Sequence, residues 1–135
     1  MPKNLPNLTP RLALVASFVN GAETAADIGT DHAYIPVYLV NSGLVKNAIA
    51  SDIVEGPLER AKLTAKTFNA EDKVRFVLAD GLNGVKENEA DEIVIAGMGG
   101  ELIAKILEEC KWSKSKDKHY VLQPMTAQED LRKYL

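Results

Sequence analysis

Residues 23 to 36 read ETAADIGTDHAYIP: a short apolar run, then an acid, a glycine and a second acid, then the start of a new periodic segment. A run this short and this apolar, with no solvated alternate face, is the pattern of a strand buried on both sides. The same pattern recurs along the chain. Glu23 to Ile28 ends at Asp27-Ile28-Gly29-Thr30-Asp31-His32, Ala48 to Ile53 carries Ser51-Asp52 at its end, and Val74 to Leu78 leads into Asp80-Gly81. Glu92 to Ala96 is followed by Gly97-Met98-Gly99-Gly100, and His119 to Leu122 by Gln123-Pro124.

Helical periodicity fills the gaps between these runs. Pro10 opens a segment with Leu12, Val15, Ala16 and Val19 on one face, closed by Asn20-Gly21. Leu58, Ala61, Ala65 and Phe68 form a stripe with Pro57 in its first turn. Leu102, Ile103, Ile106, Leu107 and Cys110 form another, and Cys110 reads as core. Thr126 with Glu129 has the spacing of a capping box, which predicts a final helix with Leu131 and Leu135 on its buried face. Strands alternating with helices imply a doubly wound α/β sandwich, a mostly parallel sheet with helices on both faces. In such sheets ligands bind beyond the carboxyl ends of the strands. The polar and glycine clusters are therefore the candidate site.

Composition sets the outer limits. The 135 residues, with 46% hydrophobic and 26% charged, predict one globular domain over residues 1–135. No run approaches the roughly 20 apolar residues of a bilayer span, so no membrane partner is expected. The opening MPKNLPNLTPRLALV lacks the apolar core and cleavage site of a secretory signal. Cys110 is the single cysteine, which excludes an intrachain disulfide and fits a reducing compartment, the cytoplasm. No spacing of His, Cys, Asp and Glu predicts a metal site. The formal net charge of -3 argues against a generic polyanion binder. A local basic stretch, Lys111, Lys114, Lys116 and Lys118 against Asp117, reads either as a solvated loop or as a phosphate contact.

The strand ends discriminate among ligands. A dinucleotide fold needs G-x-G-x-x-G after the first strand, but from Gly29 the second and third glycine positions hold Asp31 and Tyr34. A carboxylate there repels a pyrophosphate, which disfavours NAD, FAD and nucleoside triphosphates. S-adenosylmethionine carries a sulfonium, an ammonium, a ribose diol and no phosphate, so acids suit it. Asp27 is placed for the ammonium, Asp52 for both ribose hydroxyls, and Asp80 for the adenine amine. Each of these aspartates also has the simpler reading of a loop residue capping the next helix.

The run Arg11-Leu12 with Val15-Ala16, ADIGTDHAYIP (26–36), IASDIVEGPL (49–58), ADG (79–81), IVIAGMGGELI (93–103) and LQP (122–124) resembles the bacterial tRNA (adenine-22, N1)-methyltransferase family, a class I S-adenosylmethionine-dependent group. The resemblance implies a Rossmann-like class I methyltransferase sandwich that methylates N1 of an adenine in the D-loop region of tRNA. It assigns Asp27, Gly29 and Asp31 to the methionine end of the cofactor, Asp52 to the ribose, and Asp80, Gly81 and Leu82 to the adenine. Gly97 and Met98 line the sulfonium and the target base, and His32 and Tyr34 lie near the catalytic pocket. Ser51-Asp52 departs from the Gly-Glu common in relatives and shortens the carboxylate's reach.

Asp31 or His32 is the candidate to accept from the adenine N6 group, and His32 has the alternative of bonding a loop backbone. Tyr34 and Met98 are candidates to pack on the extruded base. Arg11 reads as a tRNA phosphate contact, a cofactor carboxylate contact or a solvated helix residue; Lys111, Lys114 and Lys116 are the other candidate RNA contacts. The family continues into two further strands and a helical tail, whereas this sequence ends at Leu135. The expectations are a sheet without its last two strands, weak tRNA affinity and self-association through an open edge. The alternative is a truncated, catalytically silent module that binds a cofactor or a protein.

Overall fold

A computed structural model describes residues 4–135. In chain order it contains α1 (Pro10–Ser17), β1 (Ala22–Ile28), α2 (Tyr34–Asn41), β2 (Val45–Asp52), α3 (Glu55–Thr67), β3 (Val74–Leu78), a 3-10 turn (Gly81–Gly84), β4 (Glu92–Gly99), α4 (Gly100–Glu109), β5 (His119–Thr126) and α5 (Gln128–Tyr134). The strands form one sheet in the order β3-β2-β1-β4-β5, and every pairing is parallel.

Side-chain alternation divides the core in two. Ala25, Ala48, Ala50, Val74 and Val94 face α1, α2 and α3, where Val15, Val37 and Ala61 are buried. Ala26, Ile28, Ile49, Ile93 and Ile95 face α4, α5 and the 3-10 turn through Ile103, Leu131 and Leu82. Both faces of the sheet are covered, which is why its strands are apolar throughout. The chain proceeds outward from β1 through β2 to β3, then returns to the other side of β1 for β4. The order reverses between β1 and β4, and the carboxyl ends of these two strands bound the crevice where such sheets bind ligands.

Local signals explain most boundaries. The Thr9 hydroxyl accepts from the Leu12 amide at 3.3 Å, and Pro10 occupies the first turn of α1. At the opposite end of the sheet, Glu92 is fully buried, accepts from the Asn20 amide at 3.0 Å and lies 2.5 Å from His119 Nδ1.

Four expectations are corrected. Gly97, Met98 and Gly99 belong to β4, which continues past Ala96 through register shifts at Met98. Gln123 and Pro124 lie within β5, and Pro124 is tolerated because β5 is an edge strand. Thr126 does not cap α5: it pairs with Gly99 as the last residue of β5, and Ala127 starts the helix at φ 55 with no side-chain cap. Strand pairing there outweighs the local capping signal. Leu135 and Leu102 are 72% and 48% exposed, off the buried stripes assigned to them.

Candidate active site

A cavity of about 80 Å3 opens at the carboxyl ends of β1 and β4, walled by the first turn of α1 and the β1–α2 loop. At its base Asp27 ends β1 on the α1 and α2 face, 6% exposed, with the Thr30 hydroxyl donating to it at 2.9 Å. Burial pushes the Asp27 carboxyl up to about 7. Thr30 opposes that rise, the nearby Asp52 adds to it, and Arg11 opposes it.

The loop after β1 is tightly constrained. Gly29 lies at φ +72, and a Cβ there would be 2.3 Å from the Met98 methyl group. Glycine thus provides both the left-handed turn and the space into which Met98 packs. The Gly29 and Thr30 amides donate to the Ser51 carbonyl at 2.8 and 2.9 Å. Asp31 at φ 56 and Ala33 at φ 60 are left-handed residues with side chains, strain that the surrounding packing must hold.

Asp52 pins this loop from the end of β2. One carboxylate oxygen accepts from the Asp31 amide at 3.2 Å and the other from the Val54 amide at 3.1 Å. Each oxygen retains a further lone pair for a ligand hydroxyl. The Asp31 carboxylate is exposed and bonded to Arg60 of α3 at 3.1 Å, with His32 Nε2 at 3.9 Å. The His32 and Tyr34 rings stack at 5.0 Å and 8°, a flat surface on the cavity wall. Across the cavity, Arg11 Nη1 donates to Gln123 Oε1 at 2.9 Å, and the Gly97 amide donates to the same oxygen at 3.2 Å.

The structure therefore brings together Arg11, Asp27, Gly29, Asp31, His32 and Tyr34 around one cavity, with Asp52, Gly97 and Met98 beside it. It does not bring Asp80, Gly81 and Leu82 there. These line a separate recess of about 10 Å3 with Ile106 and Cys110, too small for a purine. The Lys111, Lys114 and Lys116 loop feeds the amino-terminal end of β5. With eight residues in β5 at about 3.3 Å each, it is roughly 25 Å from the cavity end of the sheet. Lys114 Nζ sits 5.9 Å from the Tyr134 ring centroid, and the Lys118 side chain, 3% exposed, lies over Trp112.

Sequence reasoning missed several participants. Thr30 holds Asp27 and Arg60 engages Asp31; Gln123, read from sequence only as part of the cluster after the fifth apolar run, joins Arg11 to Gly97. Ile53, Val54 and Leu78, 62%, 55% and 58% exposed, form apolar surface at the ends of β2 and β3. For Ile53 the available signal was an apolar residue directly after the strand-end acid Asp52. Chemically, the cavity presents a carboxylate and a guanidinium to one small volume. A zwitterionic amino-acid group matches that pair.

Comparison with known proteins agrees with this reading of the fold. A family model described as a methyltransferase domain matches residues 8–135. The tRNA (adenine(22)-N(1))-methyltransferase of Bacillus subtilis is 39% identical over 128 residues, covering 95% of this chain and 54% of that protein. A Streptococcus pneumoniae protein solved in complex with S-adenosyl-L-methionine superposes with a TM-score of 0.90 at 42% identity, over 96% of this chain and 61% of that one. The M. capricolum protein TrmK, solved with S-adenosyl-homocysteine, gives 0.83 at 34% identity, over 94% and 56%. The chain thus spans a little over half the length of these relatives. With the doubly wound parallel sheet, the loaded strand ends and a match across nearly all its residues, the chain belongs to the methyltransferase domain family.

Proposed function

We propose that this chain forms the S-adenosylmethionine-binding domain of a methyltransferase acting on N1 of an adenine in the D-loop region of tRNA. The observation that carries this reading is the Asp27 and Arg11 pair lining one cavity beside the Gly29 turn, with Asp52 directly adjacent. The residues fit the cofactor: Asp27 for its ammonium, Arg11 for its carboxylate, Asp52 for the ribose diol. The exposed Ile53, Val54 and Leu78 suit the adenine face, with the exposed Asp80 and the adjoining Gly81 and Leu82 as the candidates at its far edge, outside the small recess. When bound, the cofactor supplies an electrophilic methyl group.

Adenine N1 has an in-plane lone pair, so no proton need be removed before attack and the protein's task is positioning. The His32 and Tyr34 stack offers a flat surface for an extruded base, and Gly97 and Met98, which lie against Arg11 and Gly29 of the cavity lining, are the candidates for its other side. Asp31 is placed to accept from the N6 amine, in competition with Arg60; His32 is the alternative acceptor. Arg11, tied to Gln123 at the cavity, suits the cofactor carboxylate better than a tRNA phosphate. Lys111, Lys114 and Lys116 are contacts for a distant part of a tRNA, not for nucleotides next to the target base. The outer edge of β5, unpaired among the described residues, supports self-association. Transfer of labelled methyl from S-adenosylmethionine to unmodified tRNA tests the reading. Cofactor binding without transfer would favour the silent module, and no binding would exclude both cofactor-binding readings and leave only a module that binds a protein.

A further inference from the structure

The side chain of Gln123 sits where three elements meet. Gln123 pairs with Ala96 across the β4–β5 ladder, and the register then shifts before Met98 pairs with Pro124. The shift leaves Gly97 unpaired, at φ +78, with its amide lacking a ladder acceptor. Gln123 Oε1 provides that acceptor at 3.2 Å and also accepts from Arg11 Nη1 at 2.9 Å. Both partners are donors, so the group facing them is the amide oxygen. Arg11 passes so close to Gly97 that a Cβ there would be 3.3 Å from Nη1. The bulge and the guanidinium therefore form one packed unit around a single oxygen.

The charge of that oxygen matters as much as its position. A carboxylate would make the same two hydrogen bonds but would neutralise the guanidinium. The amide holds Arg11 and leaves it cationic. Among the described residues, no carboxylate lies within ion-pair distance of Arg11. Arg11 lines the same cavity as Asp27, and a guanidinium fixed in orientation is the group best matched to a ligand carboxylate.

We infer that Gln123 is a positioning residue, which seats the Gly97 bulge and holds an Arg11 guanidinium that makes no direct ion pair toward the carboxylate of an amino-acid ligand in the Asp27 cavity. The inference rests on the proposed cofactor reading and adds a determinant of specificity for the cofactor's amino-acid end. It is tested by calorimetric titration of the full chain with S-adenosylhomocysteine and with 5′-methylthioadenosine, which lacks the amino-acid end. Gln123→Met should weaken S-adenosylhomocysteine by about 10-fold or more, the scale of one lost charge-assisted hydrogen bond. Gln123→Glu should weaken it comparably while keeping the wild-type Tm, because it retains both acceptor bonds. Methylthioadenosine affinity should change less than about twofold in either variant. Adding Gln123→Met to Arg11→Met should cost little beyond Arg11→Met alone, since the glutamine acts through the arginine. Wild-type affinity in Gln123→Glu would overturn the inference and leave Gln123 a structural support, as would equal losses for both ligands. If the wild-type chain binds neither ligand, the cofactor reading falls and this inference with it; methylthioadenosine binding without any gain from the amino-acid end overturns the inference alone.

Discussion

Measuring the affinity for S-adenosylhomocysteine from pH 5.5 to pH 8 isolates the role of Asp27. Its carboxyl, buried at the end of β1, is raised to about 7 by desolvation. An ammonium binds the ionised form. With that value the ionised fraction is about 3% at pH 5.5 and about 90% at pH 8, so apparent affinity should rise about 30-fold, or about 2 kcal/mol, across the window. Binding below pH 7 should also release a proton, visible as a dependence of calorimetric heat on buffer ionisation enthalpy. In the ligand-free chain the unfolded state ionises from about pH 4 while the folded state resists until about 7. Stability should therefore fall as pH rises between these values, by about 4 kcal/mol in total from this group, and level off above. Asp27→Asn should bind weakly at pH 8 and lose both dependences. A flat wild-type affinity profile would refute the reasoning. A profile that survives in Asp27→Asn would show that Asp27 is not the titrating group.

Asp52→Ala should weaken S-adenosylhomocysteine by about 2 kcal/mol and also lower Tm, because the carboxylate holds the Asp31 and Val54 amides; Asp52→Glu should cost less on both measures. Unchanged affinity in Asp52→Ala would remove the ribose assignment. Gly29→Ala should destabilise the fold by about 1–3 kcal/mol through its φ of +72 and its collision with Met98, and adding Met98→Ala should recover part of the loss in thermal melts. Glu92→Ala should cost about 3 kcal/mol or more by leaving His119 and the Asn20 amide without their buried acceptor, and Glu92→Gln should cost less. Replacing Lys111, Lys114 and Lys116 with Gln should weaken tRNA binding and flatten its salt dependence by up to about 0.9 per lost phosphate contact, with S-adenosylhomocysteine affinity unchanged. An unaltered slope would remove these lysines from the RNA interface.

The sequence alone determined the layers of this fold and the side of the sheet that carries the site. Strands buried on both faces must be apolar throughout, and helices covering them must carry apolar stripes, so composition at that scale encodes the sandwich. Strand-end residues such as Asp27, Gly29 and Asp52 were legible for the same reason: an acid or glycine terminating an apolar run is visible without knowing what lies beside it. Features requiring two distant segments were not legible. Arg11 and Gln123 are 112 positions apart and meet only because α1 packs over the ends of β4 and β5. Thr126 reads locally as a helix cap, but its pairing with Gly99 makes it a strand residue. Asp80 looks equivalent to Asp27 and Asp52 in sequence. The 3-10 turn carries it away from the cavity instead, because Leu82 is drawn into the core beneath α4. Burial also decided the chemistry. Asp27 and Asp31 are the same side chain four residues apart, yet one is enclosed and titrates near neutrality while the other is exposed against Arg60. Charge environment depends on which groups surround a carboxylate in three dimensions, and that information resides in the packing.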